Sequence, residues 1–96
     1  MQEKTTKALF DLGSLVATPG ALAALAKSGQ TPLDFLSRHI TGDWGELCEE
    51  DRKENQLSVQ QGFRILSSYK TNSGEKIWVI TEADRSVTTV LLPDEY

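Results

Sequence analysis

The dipeptide Thr-Pro occurs twice, at Thr18-Pro19 and Thr31-Pro32, and each time a run of helix-forming residues follows. A threonine hydroxyl can accept from an orphan backbone N–H at a helix start. Proline fits the first helical position, because the N–H it lacks would have no partner there. The first run, Ala21, Leu22, Ala24, Leu25 and Ala26, meets its stop at Gly29, a residue suited to the left-handed position after a helix. The second carries Leu33, Phe35, Leu36 and Ile40. With only Gly29-Gln30 between them, the two short helices must turn sharply against each other. Leu33, Leu36 and Ile40, at i, i+3 and i+7, predict the buried stripe of the second helix. Arg38 and His39 fall off that stripe, His39 close enough to it for partial burial.

The rest of the chain changes period. Glu46–Gln61 reads as a polar helix that places Cys48, Asp51, Asn55 and Arg52 toward one face, with Leu47, Leu57 and Val59 as its anchors beside Cys48. Gly62 ends it. Phe63–Lys70 alternates as a strand, with Phe63, Ile65, Ser67 and Tyr69 facing one way. Asn72-Ser73-Gly74 is a hairpin turn. Glu75–Ala83 holds Ile77-Trp78-Val79-Ile80, apolar on both faces, which predicts a central strand. Asp84-Arg85-Ser86 turns the chain into a third strand over Val87–Leu92, stopped by Pro93, and Tyr96 is placed to close over the sheet. Phe10–Ala17 reads as a further extended segment. The expected fold is α+β: short N-terminal helices packed on a three- to four-stranded antiparallel sheet, with a β-meander at the C-terminus.

Ninety-six residues suffice for one domain, 1–96, with residues 1–7 expected as a flexible tail. No apolar run approaches the roughly 20 residues of a membrane span, and the first residues lack the apolar core of a secretory signal. The single cysteine, Cys48, excludes an internal disulfide and a cysteine-built metal site. A cytoplasmic protein away from membranes is expected. The net charge of −4 disfavours sequence-independent nucleic-acid binding, which needs a basic face.

The chemistry-bearing residues crowd into Arg38-His39-Ile40-Thr41-Gly42-Asp43-Trp44-Gly45, which holds the only histidine. Asp43 could orient the His39 imidazole and raise its pKa, giving a general acid/base. The alternative is a structural corner: His39 bonds a carbonyl or Asp43 at the helix end, Gly42 and Gly45 turn the chain, Trp44 enters the core, and Asp51 and Asn55 brace the loop. Cys48 reads as a small buried residue. Arg85 reads as one half of a turn pair with Glu82 or Asp84. No spacing demands a metal, and no cofactor is expected. The carboxylates Glu46, Glu49, Glu50, Asp51 and Glu54 form a run that a solvated helix face would explain.

Several of these stretches together resemble a family of small bacterial "plasmid-related" proteins carried by mobile elements. They are Ala17-Thr18-Pro19-Gly20-Ala21-Leu22, Arg38-His39 with Gly42-Asp43-Trp44-Gly45, Asp51 with Asn55, and Ile80–Ser86 with Thr88–Pro93. The resemblance runs from about Ala17 to Tyr96; it implies a mobile-element context and carries over no catalytic residues. The order of a histidine near a helix end, then a meander bearing Arg, Tyr and Thr, is also similar to the barnase/colicin-like RNase toxins. That likeness would give roles to His39, Arg64 or Arg85, Tyr69, and Thr88 or Thr89, although this chain has no basic surplus.

Three expectations follow. The first is an accessory protein that binds another macromolecule, such as an inhibitor of a host defence complex. It would use Arg38, Asp43, Glu46, Glu49, Glu50 and Glu54, with the carboxylates competing for a basic channel. The second is a metal-independent RNase with His39 as acid/base and Arg64 or Arg85 stabilising phosphorane charge, the one setting in which nucleic acid would be a partner. The third is a homodimer paired through an edge strand.

Overall fold

The computed structural model describes residues 7–96, so the expected tail lies outside the described residues except for Lys7, which is exposed. In chain order the elements are β1 (Ser14–Ala17), α1 (Pro19–Ser28), α2 (Pro32–Ile40), α3 (Glu49–Gln61), β2 (Ile65–Lys70), β3 (Lys76–Thr81) and β4 (Val87–Leu91), followed by a 3-10 turn at Pro93–Glu95. Both Thr-Pro pairs open helices as expected, though only Thr18 caps its helix through the hydroxyl. Thr18 Oγ1 accepts from the Ala21 N–H at 3.2 Å, and Gly29 ends α1 at φ 71°. At Thr31 the Asp34 carboxylate reaches back to accept from the threonine's own N–H at 2.9 Å.

The sheet order is β1-β4-β3-β2. The meander is antiparallel, but β1 runs parallel to β4, with Ser14 opposite Val87 and Ala17 opposite Val90. The sheet is therefore mixed, which corrects the antiparallel expectation. A hairpin forces antiparallel neighbours; β1 and β4 are separated by three helices and two strands, which removes that constraint. β1 is also shorter than the extended segment expected from Phe10 onward. Gly13, at φ 68°, lies so close to the β3–β4 turn that a Cβ would collide with the Arg85 and Ser86 carbonyls, and the backbone bends there out of strand geometry.

One face of the sheet carries the core. Ala21, Leu25, Phe35 and Leu36 from the helices meet Tyr69, Ile77, Val79 and Val90, and the Phe35 and Tyr69 rings lie 5.2 Å apart. The stripe of α2 differs from the expected one. Phe35, Leu36 and His39 are buried, whereas Leu33 is 69% exposed and Ile40 half-buried. The Phe35 ring takes the centre of the contact on Tyr69, and this turns His39, one helical turn on, to the inside. On the opposite face Ile80 and Leu91 are buried, and the Tyr96 ring stands edge-on to Trp78 at 5.9 Å.

The two edges of the sheet are unlike. Along β2, the Ser68 N–H donates to the Trp44 carbonyl at 3.1 Å and the Glu46 N–H to the Ser68 carbonyl at 2.6 Å. Asn55 continues this closure from α3: its Nδ2 donates to the Leu66 carbonyl at 2.6 Å and its Oδ1 accepts from the Leu66 N–H at 3.2 Å. A side-chain amide thus takes the place of a neighbouring strand. Along β1, Leu15 and Val16 are 56% and 48% exposed, and among the described residues no further strand lies alongside. Among the described residues no helix is long and apolar enough to cross a membrane.

Candidate functional site

The Arg38–Gly45 stretch forms a corner between α2 and the β2 edge. Gly45, at φ 77°, sits against β2 so closely that a Cβ would collide with the Ser68 carbonyl. Arg38 spans the corner, its Nε donating to Asp43 Oδ2 at 2.7 Å and its Nη2 to Oδ1 at 3.4 Å, while its guanidinium lies 4.5 Å over the Tyr69 ring. Hydrogen bonding from Arg38 holds the Asp43 carboxyl below its usual range. Tyr69 donates its hydroxyl to the Asp43 carbonyl at 2.6 Å, and burial pushes that phenol up to about 12.

His39 is placed inside this corner rather than on it. It is fully buried, with the Phe10 and Trp44 rings edge-on at 5.2 and 5.9 Å. Its Nδ1 lies 2.5 Å from Ser67 Oγ and its Nε2 2.9 Å from Thr81 Oγ1. The series continues through Thr88 Oγ1, 2.7 Å from Thr81 Oγ1, to the Leu12 carbonyl at 2.7 Å. Counting protons fixes its direction. A carbonyl only accepts, so Thr88 spends its one proton on Leu12. Thr81 must then donate to Thr88, and His39 Nε2 must carry the proton that Thr81 accepts. The unprotonated Nδ1 accepts from Ser67. Burial lowers the imidazole pKa to about 3, so the ring is neutral across the physiological range.

The arginines named from the sequence are engaged elsewhere. Arg85 has a positive φ of 60°, and its Nη1 donates to the carbonyls of Phe63, Glu82 and Ala83 at 2.8, 3.1 and 3.2 Å. Its Nη2 donates to the Ser58 carbonyl at 2.9 Å, which ties the end of α3 to the β3–β4 turn. The expected pairing of Arg85 with a turn carboxylate does not form: Glu82 pairs with Arg64 at 3.1 Å, and Arg64 Nη1 also donates to the Tyr96 hydroxyl at 2.6 Å. Thr88 belongs to the His39 series, and Thr89 points to the opposite face of the sheet, in register with Ile80. The structure therefore joins His39 to Ser67, Thr81 and Thr88, and engages the donors of Arg64 and Arg85 with other groups, the Arg85 guanidinium stacking 5.5 Å over the Phe10 ring that stands edge-on to His39.

Three further placements depart from the sequence reading. Cys48 is exposed, at the N-cap of α3, because the buried side of that helix is Asn55 and Ser58. Leu57 is half exposed, leaving Leu47 and Val59 half-buried as anchors. Asn55 braces β2 rather than the corner; the corner's brace is Arg52, which donates to the carbonyls of Gly45 at 3.2 Å and Leu47 at 3.1 Å. Thr81 and Ser67 had no assigned part, and Arg52 was expected only on the face of α3 with Cys48, Asp51 and Asn55. The signal for Ser67 was in its alternation with Ile65 and Tyr69: a hydroxyl on a core-facing strand position needs a buried partner.

Glu46, Glu49, Glu50, Asp51 and Glu54 are all exposed and make no ion pair with any described residue. At about 100° per residue, Glu50, Asp51 and Glu54 share one arc of α3, and Glu49 falls about 140° from Glu54, beside Lys53. Comparison with protein-family models, with curated proteins and with solved structures returns no match.

Proposed function

We propose that this chain is a small acidic accessory protein that acts by binding another macromolecule, through the carboxylate arc Glu50–Asp51–Glu54 of α3 and the adjoining Glu46. One observation carries the reading: these carboxylates are exposed and unpaired among the described residues, on the flank of α3 next to Asn55 and Ser58, the residues that hold the helix to the domain. Such a face suits a basic partner surface, such as a nucleic-acid channel, and would draw it by long-range attraction. The resemblance to mobile-element proteins supports a host defence complex as the kind of partner. A fully buried His39 with both ring nitrogens engaged argues against acid/base chemistry at that residue, since a catalytic base must reach the proton it moves.

The test pairs capture with a cleavage assay. Tagged protein is used to capture partners from a bacterial host lysate, alongside Glu50→Lys/Glu54→Lys. The expected result is a retained partner that the double variant loses and that added salt weakens, with both proteins melting alike. A partner held equally by the variant overturns the carboxylate face. Single-stranded RNA cut by the wild type and left intact by His39→Gln replaces the proposal with the RNase reading.

A further inference from the structure

Strand β1 is an open sheet edge with an uncommon composition for one. Ser14 and Thr18 donate their N–H groups toward β4, to the Ser86 and Val90 carbonyls at 2.9 and 3.0 Å. Strand groups alternate in direction, so Leu15 and Ala17 point their N–H and C=O groups away from the sheet. Among the described residues none of those four has a partner. Solvent-facing edges are usually guarded by lysine, proline or a bulge, and Ser14-Leu15-Val16-Ala17 has none of them. Beside the edge runs a groove of about 340 Å³ between β1 and α2, lined by Leu15, Val16, Leu33 and Leu36 among others and, among the described residues, by no charged side chain.

We propose that a second copy of this chain occupies the edge, β1 pairing antiparallel with the partner's β1 about a two-fold axis at Val16. The hydrogen-bond register fits this occupant. Antiparallel pairing centred on Val16 sets Leu15 opposite Ala17 in both directions, and a directly opposed pair of this kind exchanges both of its bonds. The four outward groups of each strand are then all met, with none left over. Charge favours this place for the contact. Each copy carries −4, so repulsion between two copies is least where carboxylates are few. The acidic helix α3 packs beside β2, at the far end of the strand order from β1. An isologous contact at β1 puts the two α3 helices at opposite ends of one continuous sheet. It also covers Leu15 and Leu33, which are 56% and 69% exposed in the single chain.

Sedimentation and amide exchange test it on the intact chain. Over a series from low-micromolar to millimolar, the mass should rise from 10.6 kDa to twice that value. Exchange of the Leu15 and Ala17 amides should slow along the same series. Val16→Lys sets two like charges face to face and should weaken association by more than about tenfold. Ala17→Pro removes only an outward N–H and should leave a folded monomer. Leu57→Lys, on an exposed position of α3, should still dimerise. A chain that stays monomeric at millimolar concentration overturns the proposal. So does a dimer that persists in folded Ala17→Pro, or one in which the Leu15 and Ala17 amides exchange freely. An apolar extended peptide that binds this edge in a monomeric wild type assigns the edge to that ligand instead.

Discussion

His39 Nε2, from α2, lies 2.9 Å from Thr81 Oγ1, on β3, inside the core. The contact fixes the imidazole tautomer, because Thr81 has already spent its proton on Thr88. It follows that the imidazole nitrogen shifts of His39 should show Nε2 protonated and Nδ1 bare. Thr81→Val keeps the shape and removes the acceptor, leaving the ring N–H without a partner. The expected cost is about 1–3 kcal/mol in urea denaturation. A loss below a few tenths would mean that the series contributes no stability.

The same burial gives a pH dependence with a definite sign. Unfolded, the imidazole titrates at its ordinary value of 6.5; folded, at about 3. Between these values the unfolded chain binds a proton that the native chain refuses. The contribution is fully present above about pH 6.5 and is lost as pH falls, by at most about 1.4 kcal/mol per unit. Denaturation midpoints at pH 7 and pH 5 should therefore differ more in the wild type than in His39→Gln. Equal differences would place the acid sensitivity elsewhere.

Asn55 presents a donor and an acceptor to the two backbone groups of Leu66. In Asn55→Asp the carboxylate can accept from the Leu66 N–H but faces the Leu66 carbonyl with no proton to give. In Asn55→Leu both backbone groups lose their partner. Each variant should lose about 1–3 kcal/mol, and the Leu66 amide should exchange faster. An unchanged Leu66 exchange rate would show that the α3 contact leaves the β2 edge unguarded.

Gly45→Ala tests the corner. The substitution meets a left-handed backbone and the Ser68 carbonyl together. A loss of more than about 2 kcal/mol is expected by thermal unfolding. Gly62→Ala, where a Cβ meets nothing within 4 Å, should cost less, since only the backbone conformation is opposed. If the two cost the same, the close approach at Gly45 has no energetic weight.

What the sequence discloses follows from how local the physics is. The Thr-Pro starts, the Gly29 and Gly62 stops and the meander rest on contacts within a few residues, and all appear in the structure where the pattern places them. The parallel pairing of β1 with β4 joins residues more than seventy apart in sequence, and no local pattern encodes it. The α2 stripe misled because Leu33 and Ile40 outrank His39 in hydrophobicity. The histidine is buried by its hydroxyl partners, Ser67 and Thr81, which lie 28 and 42 residues away. Arg64 and Arg85 look catalytic in a string of letters because the carbonyls and the carboxylate that occupy them come from other segments. The α3 carboxylates were legible because exposed groups with no partner need none to be found.

The amide seal that Asn55 places on β2 also sets a number. A sheet with two bare edges could take copies at both ends without limit. Here one end is stoppered by a side chain from the same molecule, so among the described residues each copy has a single bare edge. Two copies that meet at β1 use up both bare edges at once. In the proposed pair growth would stop there, with an acidic helix at each outer end, bivalent toward the basic partner proposed above and unable to lengthen into a fibre.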